Sequence, residues 1–332
     1  VLGSGSWGTA LAIVLAANGH SVRLWDRNIH LVETLRTTHE NSRYLPGHQL
    51  PPAILPTSDM RQAIEAASAI VIAVPSGAVR RVLADALPAI PPDALLISAA
   101  KGLDEETSLR PSQTIAEIVP NALDRTVVLS GPNLAVEVAS GLPTAAVAAS
   151  SSREAALAAQ RILGGQPAFR VYTGRDVVGV ELGGAVKNSI AIGAGICDGL
   201  GYGDNSKAAL MTRGLAETMR LGVALGADPT TFLGLSGVGD LIATGASKLS
   251  RNHRVGMALG LGTPLEQVLA DIGQVAEGVP TTRVIREYSL RHSVEMPLCL
   301  ALYAVLFEGR SAPDVIRELL LRPARDESAL LA

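Results

Sequence analysis

Val1-Leu-Gly-Ser-Gly-Ser-Trp-Gly8 is the stretch that decides the fold. It reads as the end of a β-strand, a tight glycine turn and the start of a helix over residues 9–17. Gly3, Gly5 and Gly8 have the Gly-x-Gly-x-x-Gly spacing of a dinucleotide-binding turn. In such a turn the first glycine permits the sharp bend, the second lets the backbone reach the pyrophosphate, and the third lets helix and strand pack closely. Backbone N–H groups and the positive end of the helix dipole then face the phosphates. A glycine turn also occurs for packing alone, so its surroundings carry the reading. An alternating strand, Ser21-Val-Arg-Leu-Trp25, follows the helix and ends at Asp26, where an acidic residue meets an adenosine ribose.

Outward from that turn, apolar strands alternate with helical patterns. Strands are expected over 69–74, 94–99, 126–130, 144–149 and 168–173, with helices near 29–38, 78–87, 108–119 and 134–140 between them. Ser58 or Asp59 is placed to cap a further short helix. Nearly continuous apolar strands of this kind indicate a parallel sheet with both faces covered. From about Gly179 strand-like runs vanish. Helical periods take over at 180–196, 206–225, 251–259, 264–271, 280–291 and 297–307, several of them opening on Pro. The expected fold is α/β: an N-terminal Rossmann-like parallel-sheet domain over 1–179 and a C-terminal all-helical domain over 180–332. The small residues between Gly183 and Gly203 are too apolar for a linker, and either let helices approach closely or let backbone line a site.

Bulk properties exclude several classes. With 48% hydrophobic and 18% charged residues the chain is globular rather than disordered. A net charge of −3 gives no case for nucleic acid or an anionic membrane surface. Cys197 and Cys299 make no disulfide framework and suit a reducing compartment, and the scattered histidines predict no metal site. The longest apolar run, 298–307, is bounded by Pro297 and Glu308 and is about half a membrane span, so no span is expected. A cytoplasmic protein is the simplest reading. The chain starts within a strand and lacks an initiator Met, so a few preceding residues are expected.

Three places stand out for chemistry. Lys101 follows the strand ending Ser98-Ala-Ala100, at the sheet edge where ligands bind, and is either a ligand contact or a solvated charge. Lys187 is the only cation in the small, apolar segment Glu181-Leu-Gly-Gly-Ala-Val-Lys-Asn-Ser-Ile-Ala-Ile192. It must snorkel, pair with Glu181 or Asp198, or face a cavity, where desolvation would lower its pKa toward neutrality. Asn188 beside it offers an amide to a hydroxyl or carbonyl oxygen. In Ser250-Arg-Asn-His-Arg254, Ser250 is a good N-cap, and Arg251 with the helix N–H groups either holds a phosphate or is an exposed basic helix start.

Taken with these residues, the ordered motifs Ala100-Lys-Gly102, Ser130-Gly-Pro-Asn-Leu-Ala-Val-Glu137, Leu182-Gly-Gly-Ala-Val-Lys-Asn188, Gly237-Val-Gly-Asp240, Ser250-Arg-Asn252 and Val275-Ala-Glu-Gly278 make the chain resemble the bacterial-type NAD(P)-dependent glycerol-3-phosphate dehydrogenases over essentially its whole length. The resemblance implies reversible hydride transfer between sn-glycerol 3-phosphate and NAD(P), feeding phospholipid synthesis. By motif, Lys187 would exchange the proton at the C2 oxygen and Lys101 would polarise that oxygen beside cofactor and substrate. Asn188, Asp240 and Thr244 would complete the catalytic network. Ser250, Arg251 and Asn252 would bind the substrate phosphate, and Gly131 and Asn133 would line the substrate site. Ser6, Trp7, Arg27, Ala135, Arg251, Val275 and Glu277 would add cofactor contacts to those of Gly3, Gly5, Gly8 and Asp26. The implied partner is a small phosphorylated substrate, with the helical half suited to a homodimer interface. Asp26 favours a ribose 2′-hydroxyl and NAD(H), whereas Arg27 favours a 2′-phosphate and NADP(H), so dual cofactor use is expected. The alternatives are a β-hydroxyacid dehydrogenase of the 6-phosphogluconate type, which places its Asn four residues after its Lys, and a cofactor-binding sensor without turnover.

Overall fold

A computed structural model describes residues 1–165, 168–323 and 326–327. Its strands are β1 (Val22–Trp25), β2 (Ile54–Thr57), β3 (Ala69–Ile72), β4 (Leu95–Ser98), β5 (Thr126–Ser130), β6 (Thr144–Ala149) and β7 (Phe169–Gly174). β1 pairs with β2, and β3 to β7 lie side by side in chain order. Leu2 joins the two groups, bridging to Trp25 on one side and Ile72 on the other, both parallel. The N-terminal residues therefore run down the middle of one sheet, with successive strands wound outward on each side. That reversal of strand order is where α/β sheets of this kind bind dinucleotides.

Alternate strand residues serve opposite faces, as the strand period requires. Ile70, Ile72 and Leu96 pack with Leu83 and Ile115 on one face. Val71, Leu95 and Ile97 pack with Leu11, Leu15 and Leu35 on the other. Asp59 caps the helix Met60–Ile64, its carboxylate accepting the Gln62 N–H. The sheet differs from a wholly parallel one at β5 and β6, which pair antiparallel. The link between them holds only the short helix Ala135–Ala139, after which the chain returns alongside its own strand. β6 and β7 are parallel again, joined over the helix Arg153–Leu163.

All seven strands belong to one unit, Val1–Ala100 with Pro111–Val177. The second unit comprises Lys101–Arg110 with Val178–Ala332, and its described residues form helices and loops. Residues 324–325 and 328–332, within the span expected to be helical, lie outside the described residues. The long helix Val177–Gly199 is the spine of this unit, buried at nearly every position from Gly179 to Cys197. By length and composition it is apolar enough to cross a membrane, but 83% of its most apolar window is buried. It crosses the helix Arg251–Gly260 in backbone contact: a Cβ on Gly195 would lie 2.0 Å from the His253 carbonyl oxygen, and one on Gly256 would lie 1.8 Å from that of Ile192. Close helix approach is thus one use of the small residues near 183–203. The Gly237-Val-Gly turn is wound as a π-helical turn, Leu235–Gly239, running into the helix Asp240–Ala246, which periodicity had not marked. A side chain at Gly237 would strike the Phe232 carbonyl oxygen at 2.0 Å.

Candidate active site

The glycine turn has the features a dinucleotide needs. Gly3 sits at φ +106°, a conformation that favours glycine. A Cβ on Gly8 would lie 1.9 Å from the Gly3 carbonyl oxygen, whereas one on Gly5 would meet nothing within 4 Å. Two glycines thus close the turn and the third leaves open space above it. The helix Ser6–Ala17 begins there without a side-chain cap and without an acidic residue in its first turn, so its positive end is left for a phosphate. The residues present fit the cofactor.

Behind the turn lies a polar network. Thr9 Oγ1 donates to the Ser4 carbonyl at 3.1 Å, and the fully buried Asn41 donates to that carbonyl at 2.7 Å and to Thr9 Oγ1 at 2.8 Å. Asp26 Oδ2 accepts from Ser4 Oγ at 2.5 Å and from the Ser4 N–H at 3.3 Å, while Oδ1 accepts from the Asn28 N–H at 2.9 Å. Asp26 is therefore held as a fixed acceptor beside the turn, with Arg27 exposed next to it. Ser6 Oγ donates to the Tyr44 carbonyl at 2.6 Å. Trp7 packs against the sheet core with its ring 6.5 Å from that of Phe169. Ala135 opens the helix after β5 and packs on the same core. Gly131 turns at φ +145°, where a Cβ would lie 2.8 Å from the Ala145 carbonyl oxygen. Asn133 Nδ2 donates to that carbonyl at 2.9 Å and to Thr144 Oγ1 at 3.1 Å, leaving its buried Oδ1 without a hydrogen-bond partner among the described residues.

A second centre, in the helical unit, gathers around Asp240. Its Oδ2 lies 2.8 Å from Lys101 Nζ and its Oδ1 lies 2.9 Å from Lys187 Nζ. Thr244, one helical turn after Asp240, accepts from Lys187 Nζ at 2.6 Å and donates to Asp240 Oδ1 at 3.1 Å. Burial opposes ionisation of Asp240, but the two ammonium groups outweigh it and hold its carboxyl below the usual range. Burial pulls the Lys187 pKa down to about 8, with Lys101 and Arg251 pushing the same way and Asp240 opposing. Lys101, with its side chain only 15% exposed, is no solvated surface charge. Lys187 is paired with neither Glu181 nor Asp198. Six residues back along a helix, Glu181 faces elsewhere, and Asp198 is about 16 Å further along. Glu181 instead binds Arg110 at 2.5 Å, and Asp198 binds Lys207 at 3.0 Å and His253 Nε2 at 2.7 Å.

Around this centre the amides are committed to protein partners. Asn188 Nδ2 donates to the Lys101 carbonyl at 3.0 Å, and its Oδ1 accepts from Asn252 Nδ2 at 2.8 Å. Asn252 Oδ1 in turn accepts the Gly278 N–H at 3.0 Å. Ser250 caps the helix Arg251–Gly260 through the His253 N–H at 3.2 Å. Arg251 Nη1 donates to the Val275 carbonyl at 2.7 Å. Burial lowers the Arg251 pKa and the nearby Glu277 carboxylate opposes the shift. Local sequence patterns gave no sign of Asn41 joining Ser4 and Thr9, nor of Arg110 meeting Glu181, because these contacts join residues far apart in the chain. An uncapped helix start beside Ser4 was the one available hint.

Models of the NAD-dependent glycerol-3-phosphate dehydrogenase N-terminus and C-terminus match residues 1–156 and 176–317. The chain is similar to a glycerol-3-phosphate dehydrogenase [NAD(P)+] of Moorella thermoacetica, 49% identical over 98% of this chain and 96% of the relative. A relative of the same name from Pelotomaculum thermopropionicum is 50% identical over 97% of this chain and 92% of the relative. Among solved structures, a glycerol-3-phosphate dehydrogenase from Coxiella burnetii superposes with a TM-score of 0.92 at 39% identity, covering 97% of this chain and 98% of that one.

Proposed function

The chain belongs to the NAD-dependent glycerol-3-phosphate dehydrogenase family, and on that premise we propose that it interconverts sn-glycerol 3-phosphate and dihydroxyacetone phosphate with NAD(P), supplying glycerol 3-phosphate for phospholipid synthesis. The observation that carries this reading is the single carboxylate of Asp240 holding both Lys101 and Lys187. Bound nicotinamide supplies the hydride acceptor or donor for C2. Lys187 manages the proton at the C2 oxygen: its neutral amine takes the proton in oxidation, and its ammonium form returns it in reduction. With a pKa of about 8, both forms are within reach near neutral pH. Lys101, on the other oxygen of the same carboxylate, stabilises negative charge on that C2 oxygen. Thr244 fixes the Lys187 nitrogen, and Asp240 lets two cations share a buried space.

Arg251 at the capped helix start binds the substrate phosphate, with Ser250 shaping that start and Asn252 tying it to Asn188. Asn188 acts by position, holding the Lys101 carbonyl. Gly131 and Asn133 serve the substrate, and the unpartnered Asn133 Oδ1 is an acceptor suited to a hydroxyl. Gly3, Gly5, Ser6, Trp7, Gly8, Asp26, Arg27, Lys101, Ala135, Arg251, Val275 and Glu277 serve the cofactor. Asp26, already aimed by Ser4 and Asn28, gives NAD(H) a partner for its ribose hydroxyl. The enzyme is cytoplasmic and a homodimer, and Leu233, Ile242 and Leu249 of the helical unit are among the exposed apolar side chains that an interface would bury. Neither the 6-phosphogluconate-type alternative nor a silent sensor is favoured: Asn188 directly follows Lys187, and both lysines are present.

Loss of reduced nicotinamide absorbance with dihydroxyacetone phosphate tests the assignment, run with NADH and NADPH in parallel. Rapid oxidation is expected, with none for 6-phosphogluconate plus oxidised cofactor. Turnover of 6-phosphogluconate, or silence with both substrates despite measurable cofactor binding, would overturn it.

A further inference from the structure

The reaction described above gives no task to the Arg110–Glu181 ion pair, although both groups are largely buried, with side chains 14% and 2% exposed. A buried ion pair is a poor source of stability compared with apolar packing, and its best-attested use is to specify one arrangement over others. Its surroundings say which arrangement. Arg110 ends the segment that begins at Lys101, and Glu181 lies on the helix Val177–Gly199 that carries Lys187 and Asn188. At the other end of the segment, Asn188 holds the Lys101 carbonyl at 3.0 Å. Both ends are thus fastened to one helix, at points two turns apart, about 10 Å at the helical rise.

The middle of the segment is equally constrained. Leu103 is fully buried in a cluster with Leu182, Ala185 and Val186 of the same helix. Asp104 closes the segment on itself, accepting from the Glu106 N–H at 3.1 Å and from Thr107 Oγ1 at 2.9 Å, while its own carbonyl accepts the Ser108 N–H at 2.8 Å. Ser108 is held at φ +57°, with its hydroxyl donating to Glu287 at 2.5 Å and its carbonyl accepting from the Tyr288 hydroxyl. Between the exposed turn residues 105–107 and its two ends, the segment is thus tied at Leu103, Asp104 and Ser108.

We propose that the Arg110–Glu181 pair is a positioning device for Lys101, clamping the 101–110 segment to the helix of Lys187 so that both ammonium groups meet Asp240. The inference rests on the proposed role of Lys101 in the reaction. Glu181→Gln keeps the shape and removes the charge that holds Arg110. Its kcat should fall roughly 10- to 100-fold, as for a catalytic group displaced by about an ångström, while the KM for dihydroxyacetone phosphate changes little because Arg251 is untouched. The Lys101 charge lowers the Lys187 pKa, so a displaced Lys101 should move the rising limb of the glycerol 3-phosphate oxidation profile to higher pH. Loss of stability alone would not shift that limb.

A double-mutant cycle with Lys101→Met separates the possibilities. In that background Glu181→Gln should cost about twofold or less, because the group it positions is gone. Multiplicative losses, or a folded Glu181→Gln enzyme with unchanged kcat and pH profile, would overturn the clamp while leaving Lys101 in the mechanism. Wild-type turnover by Lys101→Met alone would remove Lys101 from the mechanism and the clamp with it. If Glu181→Gln does not fold, Tyr288→Phe loosens the same segment by one hydrogen bond and should shift the pH limb in the same direction, by less; an unmoved limb there would count against the clamp.

Discussion

The glycine turn and the lysine centre each organise charge around one aspartate, yet they are assembled in different ways. Asp26 is held by neutral donors, Asn28 two residues on and Ser4 in the adjacent glycine turn, and it stays partly exposed. Asp240 is buried and held by two cations brought from residues 101 and 187. The first arrangement is a local device, made by a turn and the strand beside it, and it suits a contact that must discriminate hydroxyl from phosphate. The second exists only when distant segments have packed. Removing Asp240 would leave two buried cations facing each other without compensation, so this centre is the more fragile of the two.

The sharpest way to break the comparison is at its most buried cation. Lys187→Met should lower kcat by roughly 10²–10⁴, the range for a general acid–base group, with cofactor affinity unchanged. Wild-type turnover in that variant would leave the second centre purely structural. In the intact enzyme the pH profile carries the same information. Oxidation needs the neutral amine, so its rate should rise with pH through about 8, and reduction, which needs the ammonium form, should fall over the same range. Profiles without opposite slopes would exclude Lys187 as the titrating group.

Gly8→Ala probes the turn. A methyl group there would sit 1.9 Å from the Gly3 carbonyl oxygen, so helix and turn must part. The cofactor Kd should rise roughly 10- to 100-fold, equivalent to the few kcal/mol typical of overpacking, measured by fluorescence titration. An unaltered Kd would mean that the turn does not grip the pyrophosphate. The smallest effect is expected from Asp26→Ser, which removes the fixed anion. The ratio of kcat/KM for NADPH to that for NADH should rise about tenfold, the scale of one lost like-charge contact with the 2′-phosphate. A constant ratio would reduce Asp26 to a support for Ser4.

Much of this was legible before any coordinates. The glycine spacing, the strand ending at Asp26 and the switch to helical periods near Gly179 all depend on short-range geometry that residue order states directly. The Ser250 cap was legible for the same reason, and Asp59 was one of two candidates beside Ser58, since a cap and its N–H partner lie within one turn. The antiparallel return at β6 was not, because an apolar strand reads alike in either direction. The helix Asp240–Ala246 was missed because its one turn of small residues shows little period. The partner of Lys187 was also hidden: the acidic residues nearest in its own helix were candidates by proximity, but helical rotation and rise put both out of reach.

By itself, then, the order of residues determined most of the element types, the glycine turn after the first strand, and the family to which the motifs belong. Those properties follow from φ/ψ limits, side-chain period and capping, each acting over a few residues. Only the tertiary structure decided which carboxylate holds Lys101 and Lys187, that the Asn188 and Asn252 amides bind each other, and that Arg110 anchors to Glu181. The physical reason is burial. A charge withdrawn from water must find its opposite wherever the packed chain delivers it.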